Sequence, residues 1–142
     1  MTFTYSTHDE ATPEGAVVDA GLDDWNAHAA PLDAVQPITC IARTQSGEVV
    51  GGAVGRTWGT CAELQQVWVA PPHRRRGVGS RLVRLYEARA SERGCRTFYL
   101  TTFSFQAPSL YRSLGYEVAF ELLGFPDGIV KYLMVRSVDV AR

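Results

Sequence analysis

Cysteine is scarce in this chain: three in 142 residues, Cys40, Cys61 and Cys95, an odd number with no C-x-x-C spacing. That supports neither a disulfide framework nor a zinc knuckle, and it points to a reducing, cytoplasmic setting. Long hydrophobic runs are missing too. Nothing approaches the ~18–20 apolar residues of a membrane helix, and the polar first ten residues lack the basic-then-apolar pattern of a secretory signal. A protein without a membrane partner is expected. Glycine (13) and proline (7) are close to average, which argues against low-complexity disorder. What is present, 46% hydrophobic and 20% charged residues, fits one domain over residues 1–142 built on one core.

Basic residues are absent from one end. Residues 1–35 hold Asp9, Glu10, Glu14, Asp19, Asp23, Asp24 and Asp33 against no Lys or Arg, so this stretch carries −7 within a chain whose net charge is only −1. Eight arginines, by contrast, fall between Arg74 and Arg96. The N-terminal stretch should favour cations and the middle of the chain anions.

Periodicity predicts a short strand over 2–6, then a helical stretch over 7–30 that Thr12-Pro13 open and that Gly15 and Gly21 weaken or divide. Residues 38–44 and 48–57 read as a hairpin around Ser46-Gly47, and Trp58-Gly59-Thr60 turns the chain into a third strand over 61–69. In that strand Leu64 and Val67 are three apart where strict pleating puts core residues two apart, so one extra residue near Gln65-Gln66, a β-bulge, is predicted. Val78, Leu82, Leu85, Tyr86 and Ala90 mark a helix that Gly94 ends. A strand over 97–101 returns beside the third one, making a β–α–β crossover with parallel pairing. A short helix over 107–114 and strands over 116–122 and 129–135 complete the chain.

The run from Val67 to Leu82 carries the chemistry. A bulged strand feeds a glycine-bearing loop that opens directly into an amphipathic helix. Gly77 and Gly79 let backbone approach a ligand closely, successive loop amides point at one spot, and flanking arginines pair with phosphate oxygens, so the segment forms an anion site. A Walker A loop does not fit, because no Lys follows either glycine. A Rossmann fingerprint fits poorly, because Leu82 stands where a third small residue is needed and an antiparallel meander precedes the loop.

Arg74-Arg75-Arg76-Gly77-Val78-Gly79 instead resembles the Q/R-x-x-G-x-G/A pyrophosphate loop of the GNAT superfamily of acyl-CoA N-acyltransferases, and Leu64, Val67 and Val69 match the spacing of its bulged strand. Ala107, Leu110-Tyr111 and Leu114-Gly115-Tyr116 match its second block about thirty residues on. The resemblance covers most of the chain. It implies an α/β (α+β) fold: a mixed, mainly antiparallel twisted sheet with helices on both faces and a bulged, splayed central strand. It also implies acetyl-CoA as co-substrate, no metal, and a primary amine of a small molecule as acceptor. Thr102 to Pro108 looks like a subgroup of small bacterial members. Ser104 departs from the family's usual Asn, so an Asn–pantetheine hydrogen bond does not carry over.

By this resemblance the coenzyme contacts fall to Val67, Trp68, Val69, Arg74, Arg75, Arg76, Gly77, Val78, Gly79, Ser80, Ser104 and Tyr111. Val67 and Val69 offer backbone groups, and Tyr111 stands at the usual general-acid position near the sulfur. Glu63 is the candidate base, with Glu121 and Asp24 as alternatives. Asp24 and Trp25 are candidates for the cationic acceptor, and Phe103 and Phe105 for its wall. Plainer readings stand beside these. Tyr111 is also placed as a core aromatic, and Arg81, Arg84, Arg89 and Arg93 read as a solvated helix face. His8, His28 and His73 have no metal-ligand spacing. A protein or peptide N-acetyltransferase and a non-catalytic acyl-CoA sensor are the rival functions. A nucleic-acid module is disfavoured by the pI of about 6.3. The open edges of a small mixed sheet are compatible with a homodimer.

Overall fold

A computed structural model describes residues 1–138. The chain divides into two compact units, Met1–Ala34 and Val35–Arg142. In the first unit, Gly15–Ala29 form helix α1. Gly15 N donates to Thr12 O and Ala16 N to Pro13 O, so Thr12-Pro13 make the turn that leads into the helix. The helix runs through Gly21 unbroken and buries none of its residues. The strand expected over 2–6 does not form: these residues have no pairing partner, and Phe3 and Tyr5 are exposed. A strand needs a ladder for its backbone groups, and two alternating aromatics do not supply one.

The second unit is a six-stranded sheet in the order β1-β2-β3-β4-β6-β5. Its strands are β1 Gln36–Arg43, β2 Val49–Trp58, β3 Cys61–Val69, β4 Thr97–Phe103, β5 Glu117–Leu122 and β6 Lys131–Ser137. Every pairing is antiparallel except β3–β4. That parallel pair is joined through helix α2, Val78–Glu92, as the crossover pattern predicts. Helix α3, Pro108–Ser113, connects β4 to β5. The sheet is thus mixed and mainly antiparallel, and in this unit the predicted boundaries hold to within about two residues, whereas the helical stretch expected over 7–30 begins only at Gly15.

The alternating residues of the strands sort onto two faces. Ile38, Cys40, Ala53, Leu64, Phe98, Leu100 and Met134 face α2 and form the core with its Leu82, Val83, Tyr86 and Ala90. Arg112 of α3 lies over the Tyr132 ring on this same side, at 5.7 Å. The opposite face carries Arg56, Glu63, Trp58, Trp68, Tyr99 and Phe103.

Two arginines expected to be solvated are structural. Arg93 Nη1 donates to Gln36 O and Thr57 Oγ1, both at 3.1 Å, and Nη2 to Pro37 O at 3.0 Å, tying the end of α2 to β1. Arg84 Nη1 donates to Glu87 Oε1 at 2.7 Å and Nη2 to Leu114 O at 2.9 Å, tying α2 to the end of α3. Helical periodicity places both outside the apolar stripe, but a long side chain reaches laterally from there to carbonyls that only the tertiary fold brings near. Arg81 and Arg89 are exposed, Arg89 pairing only with Glu92.

Candidate active site

The site begins where β3 stops pairing with β4. In the β2–β3 ladder Val54 faces Gln66 and Gly55 faces Leu64, so Gln65 is the extra residue of a bulge. The Leu64–Val67 spacing located it. On its other side β3 pairs with β4 only through Cys61, Ala62 and Glu63. Beyond Glu63 the two parallel strands part, and Leu64 and residues 66–69 keep partners on β2 alone. A parallel sheet opening in this way leaves backbone donors and acceptors lining a gap, ready to bind a ligand as a strand would.

The gap leads to the arginine–glycine loop. Arg75 and Gly77 both have positive φ, 63° and 78°. Left-handed turn residues of this kind can direct neighbouring amides toward one concavity, the geometry that suits an anion. Glycine takes this conformation freely, whereas a non-glycine residue such as Arg75 is strained by ~1–2 kcal/mol. No side chain caps α2, and the first amide to bond back to the loop is that of Arg81, to Gly77 O at 3.1 Å. The amides of Val78, Gly79 and Ser80 therefore open the helix without intrahelical partners. Together with the helix dipole they suit a diphosphate, and the loop fits the nucleotide end of a coenzyme. Arg74, Arg75 and Arg76 are exposed around it. Arg74 Nε donates to Val69 O at 2.8 Å, so this carbonyl is already engaged, and the guanidinium is anchored at the mouth of the gap. Gly79 lies against Leu110 and Val69, which joins the loop to α3 and β3.

Tyr111 projects from α3 with its ring buried and edge-on to Tyr116, centroids 6.0 Å apart. Burial holds its phenol above the ordinary value of 10, so it stays protonated at any physiological pH, as a general acid requires. Both readings of Tyr111, core aromatic and acid, describe the same buried ring.

Glu63 sits at the last paired rung, directly opposite Arg56 on β2 and beside Tyr99 on β4. Arg56 Nε donates to Glu63 Oε1 at 2.8 Å. Burial, then the nearby Glu63 carboxylate, raises the Tyr99 phenol above its usual value. Arg56 and Tyr99 escaped the sequence reading. The Trp58–Cys61 pairing across Gly59-Thr60 places residue 56 opposite 63, so counting back from the turn identifies Arg56. Tyr99 depends on the β3–β4 register, which no local signal carries. Glu121 is exposed on β5, where it pairs with Tyr132 and lies away from the gap.

Ser104 Oγ accepts the Val130 amide at 3.0 Å, and Ser104 N donates to Val130 O at 2.8 Å, so this residue closes the β4–β6 end. Gln106 Oε1 accepts from Phe103 N at 2.8 Å. The loop so held stacks Phe105 on Phe103, centroids 5.3 Å apart and planes 9° apart, while Phe125 meets Phe103 edge-on. Trp68 is half exposed on the open face. In the first unit, Asp24 and Trp25 are exposed on α1, and His28 Nδ1 lies 2.7 Å from Asp24 O. Among the described residues no helix is long and apolar enough to cross a membrane, and no group of three or more His, Cys, Asp or Glu side chains is placed to hold a metal ion.

Residues 4–116 match the model of the acetyltransferase (GNAT) family. A blasticidin-S acetyltransferase from Streptomyces morookaense is 36% identical over 110 residues, 77% of this chain and 79% of that protein. Among solved structures, an acetyltransferase from Bacillus cereus superposes with a TM-score of 0.77 at 24% identity, covering 94% of this chain and 98% of the other. Nourseothricin acetyltransferase superposes with a TM-score of 0.63 at 26% identity, covering 71% and 65%.

Proposed function

Since this chain belongs to the acetyltransferase (GNAT) family and is an acetyl-CoA-dependent N-acetyltransferase, we propose that its acceptor is a primary amine of a small molecule, acetylated by direct attack within a ternary complex. The observation that carries this reading is the parting of β3 from β4 beyond Glu63, in the strand that leads into the arginine–glycine loop.

Acetyl-CoA supplies an activated acyl group whose transfer needs an unprotonated amine, a polarised carbonyl and a proton for the departing thiolate. On this reading the loop amides from Gly77 to Ser80, with Arg74, Arg75 and Arg76, hold the diphosphate. Backbone groups of Val67 and Val69 line the gap for the pantetheine arm, with the Val69 carbonyl shared with Arg74. The Tyr111 hydroxyl gives its proton to the leaving sulfur. The Glu63 carboxylate, fixed by Arg56 at the vertex of the gap, receives the amine's proton directly or through water. The Phe103–Phe105 stack offers an apolar wall to the acceptor.

The blasticidin-S relative supports a small antibiotic-type amine over a peptide, and the −7 charge of residues 1–35 favours a cationic one. The test is thiol release from acetyl-CoA across blasticidin S, nourseothricin, polyamines, amino sugars and short peptides. Turnover with a small-molecule amine is expected. Turnover with peptides alone would overturn the acceptor class, and silence across the panel with CoA still raising the Tm would favour an acyl-CoA sensor.

A further inference from the structure

The last residue before the gap between β3 and β4 is touched from within the core by α2. Tyr86 is fully buried, and its hydroxyl donates to Glu63 O at 2.6 Å, with Arg56 O further away at 3.4 Å. Glu63 is the last residue that β3 pairs with β4, two positions before the bulged Gln65. Its carbonyl lies against Gly55 on the β2 side, where the Tyr86 hydroxyl reaches it from α2. A Cβ placed on Gly55, the β2 residue beneath, would lie 2.1 Å from Glu63 O and 2.7–2.8 Å from Cε2 and Oη of Tyr86. Only glycine leaves room there for both the carbonyl and the phenol.

A carbonyl beside a bulge needs a donor where the ladder is irregular, and Tyr86 supplies it. Without that hydroxyl, the economical way to satisfy Glu63 O is to take up the extra residue and re-form a regular β2–β3 ladder, which straightens β3 alongside β4 and closes the gap. We propose that Tyr86, seated over Gly55, is a positioning residue that holds β3 and β4 apart and thereby keeps the coenzyme gap open. The proposal rests on the reading of that gap as the coenzyme's. Because Tyr86 lies two helical turns along from the anion-binding loop on the same helix, α2 aligns both ends of the coenzyme path: loop amides at its start, the vertex of the gap at its middle.

The experiment is isothermal titration of the full chain with CoA, which requires no acceptor. Tyr86→Phe keeps the ring and removes only the donor, and its CoA affinity should fall about tenfold, or about 1.4 kcal/mol. Val83→Ala, on the same buried helix face but removing no hydrogen bond, serves as the control for lost stability. It should lower the Tm at least as much as Tyr86→Phe and leave CoA affinity within twofold. If Tyr86→Phe does not fold, Gly55→Ala attacks the same hydrogen bond from the strand side and should show the same selective loss. An unchanged CoA affinity in whichever of these variants folds, or an equal loss in Val83→Ala, overturns the proposal. A wild-type chain that binds no CoA overturns the reading of the site itself, and the proposal with it.

Discussion

Arg56 and Glu63 face each other across the β2–β3 hairpin, Nε to Oε1 at 2.8 Å, on the rung where β3 makes its last pair with β4. Cross-strand ion pairs on exposed faces contribute little to stability. This one lies at the vertex of the gap, where its effect is to fix the direction of a carboxylate.

If Glu63 is the base, Glu63→Gln lowers kcat by ~10²-fold with the KM for acetyl-CoA little changed, in line with typical acid–base contributions. Arg56→Met produces a smaller loss in kcat, because the carboxylate remains but is free to turn away. Steady-state kinetics at saturating acetyl-CoA distinguish the two. Full activity in Glu63→Gln would move the base elsewhere.

Tyr111→Phe should reduce kcat by ~10²-fold or more while CoA affinity stays within about twofold, since only the proton donor is lost. Burial keeps the wild-type phenol above 10, so loss of the acid form should not limit the wild-type rate anywhere between about pH 6 and pH 9. A pH–rate profile falling through that range with the Tyr111 dependence intact would contradict the assignment.

Arg75 has φ 63° in the anion loop. Arg75→Gly removes left-handed strain but gives the unfolded chain more freedom, leaving a net gain of about 0.5 kcal/mol in stability. It also removes one cation beside the diphosphate. Denaturant unfolding should shift upward as CoA affinity drops modestly. A fall in both would mean that the arginine side chain makes structural contacts.

Glu87 is buried between Arg84, Arg136 and Tyr116, with Oε1 2.7 Å from Arg84 Nη1, and Oε2 2.8 Å from Tyr116 Oη and 3.3 Å from Arg136 Nη1. Glu87→Ala leaves the buried Tyr116 hydroxyl without its acceptor, while Arg84 and Arg136 can turn to water, so it should cost ~1–3 kcal/mol. Burial, and then the Glu87 charge, pushes the Tyr116 phenol well above 10, and burial does the same to Tyr86. Groups with raised native pKa values stabilise fully below the unfolded value near 10 and lose that contribution as pH climbs toward the native one. Stability should therefore decline above about pH 10, less steeply in Tyr116→Phe. Flat stability through pH 11 would contradict the cluster's role.

Local signals made much of this protein legible. From residue 36 on, the element order, the bulge near Gln65, the crossover and the Arg74–Gly79 loop follow from spacing, because pleat, helical period and turn chemistry act over a few residues. Tyr111 stands out through the family resemblance alone. The N-terminal strand failed for the complementary reason: alternation marks a face, and a strand also needs a partner.

From residue 36 on, the sequence by itself determined which segments would be helix or strand, where a strand would break its pleat, and which glycine-bearing loop would open the long helix. Only the tertiary structure decided what holds the break open and what surrounds it. Tyr86 reaches Glu63 across 23 positions and Arg93 reaches Gln36 across 57. Such contacts depend on the packing of α2 against the sheet, and on a glycine at 55 whose missing Cβ has meaning only once the helix lies above it.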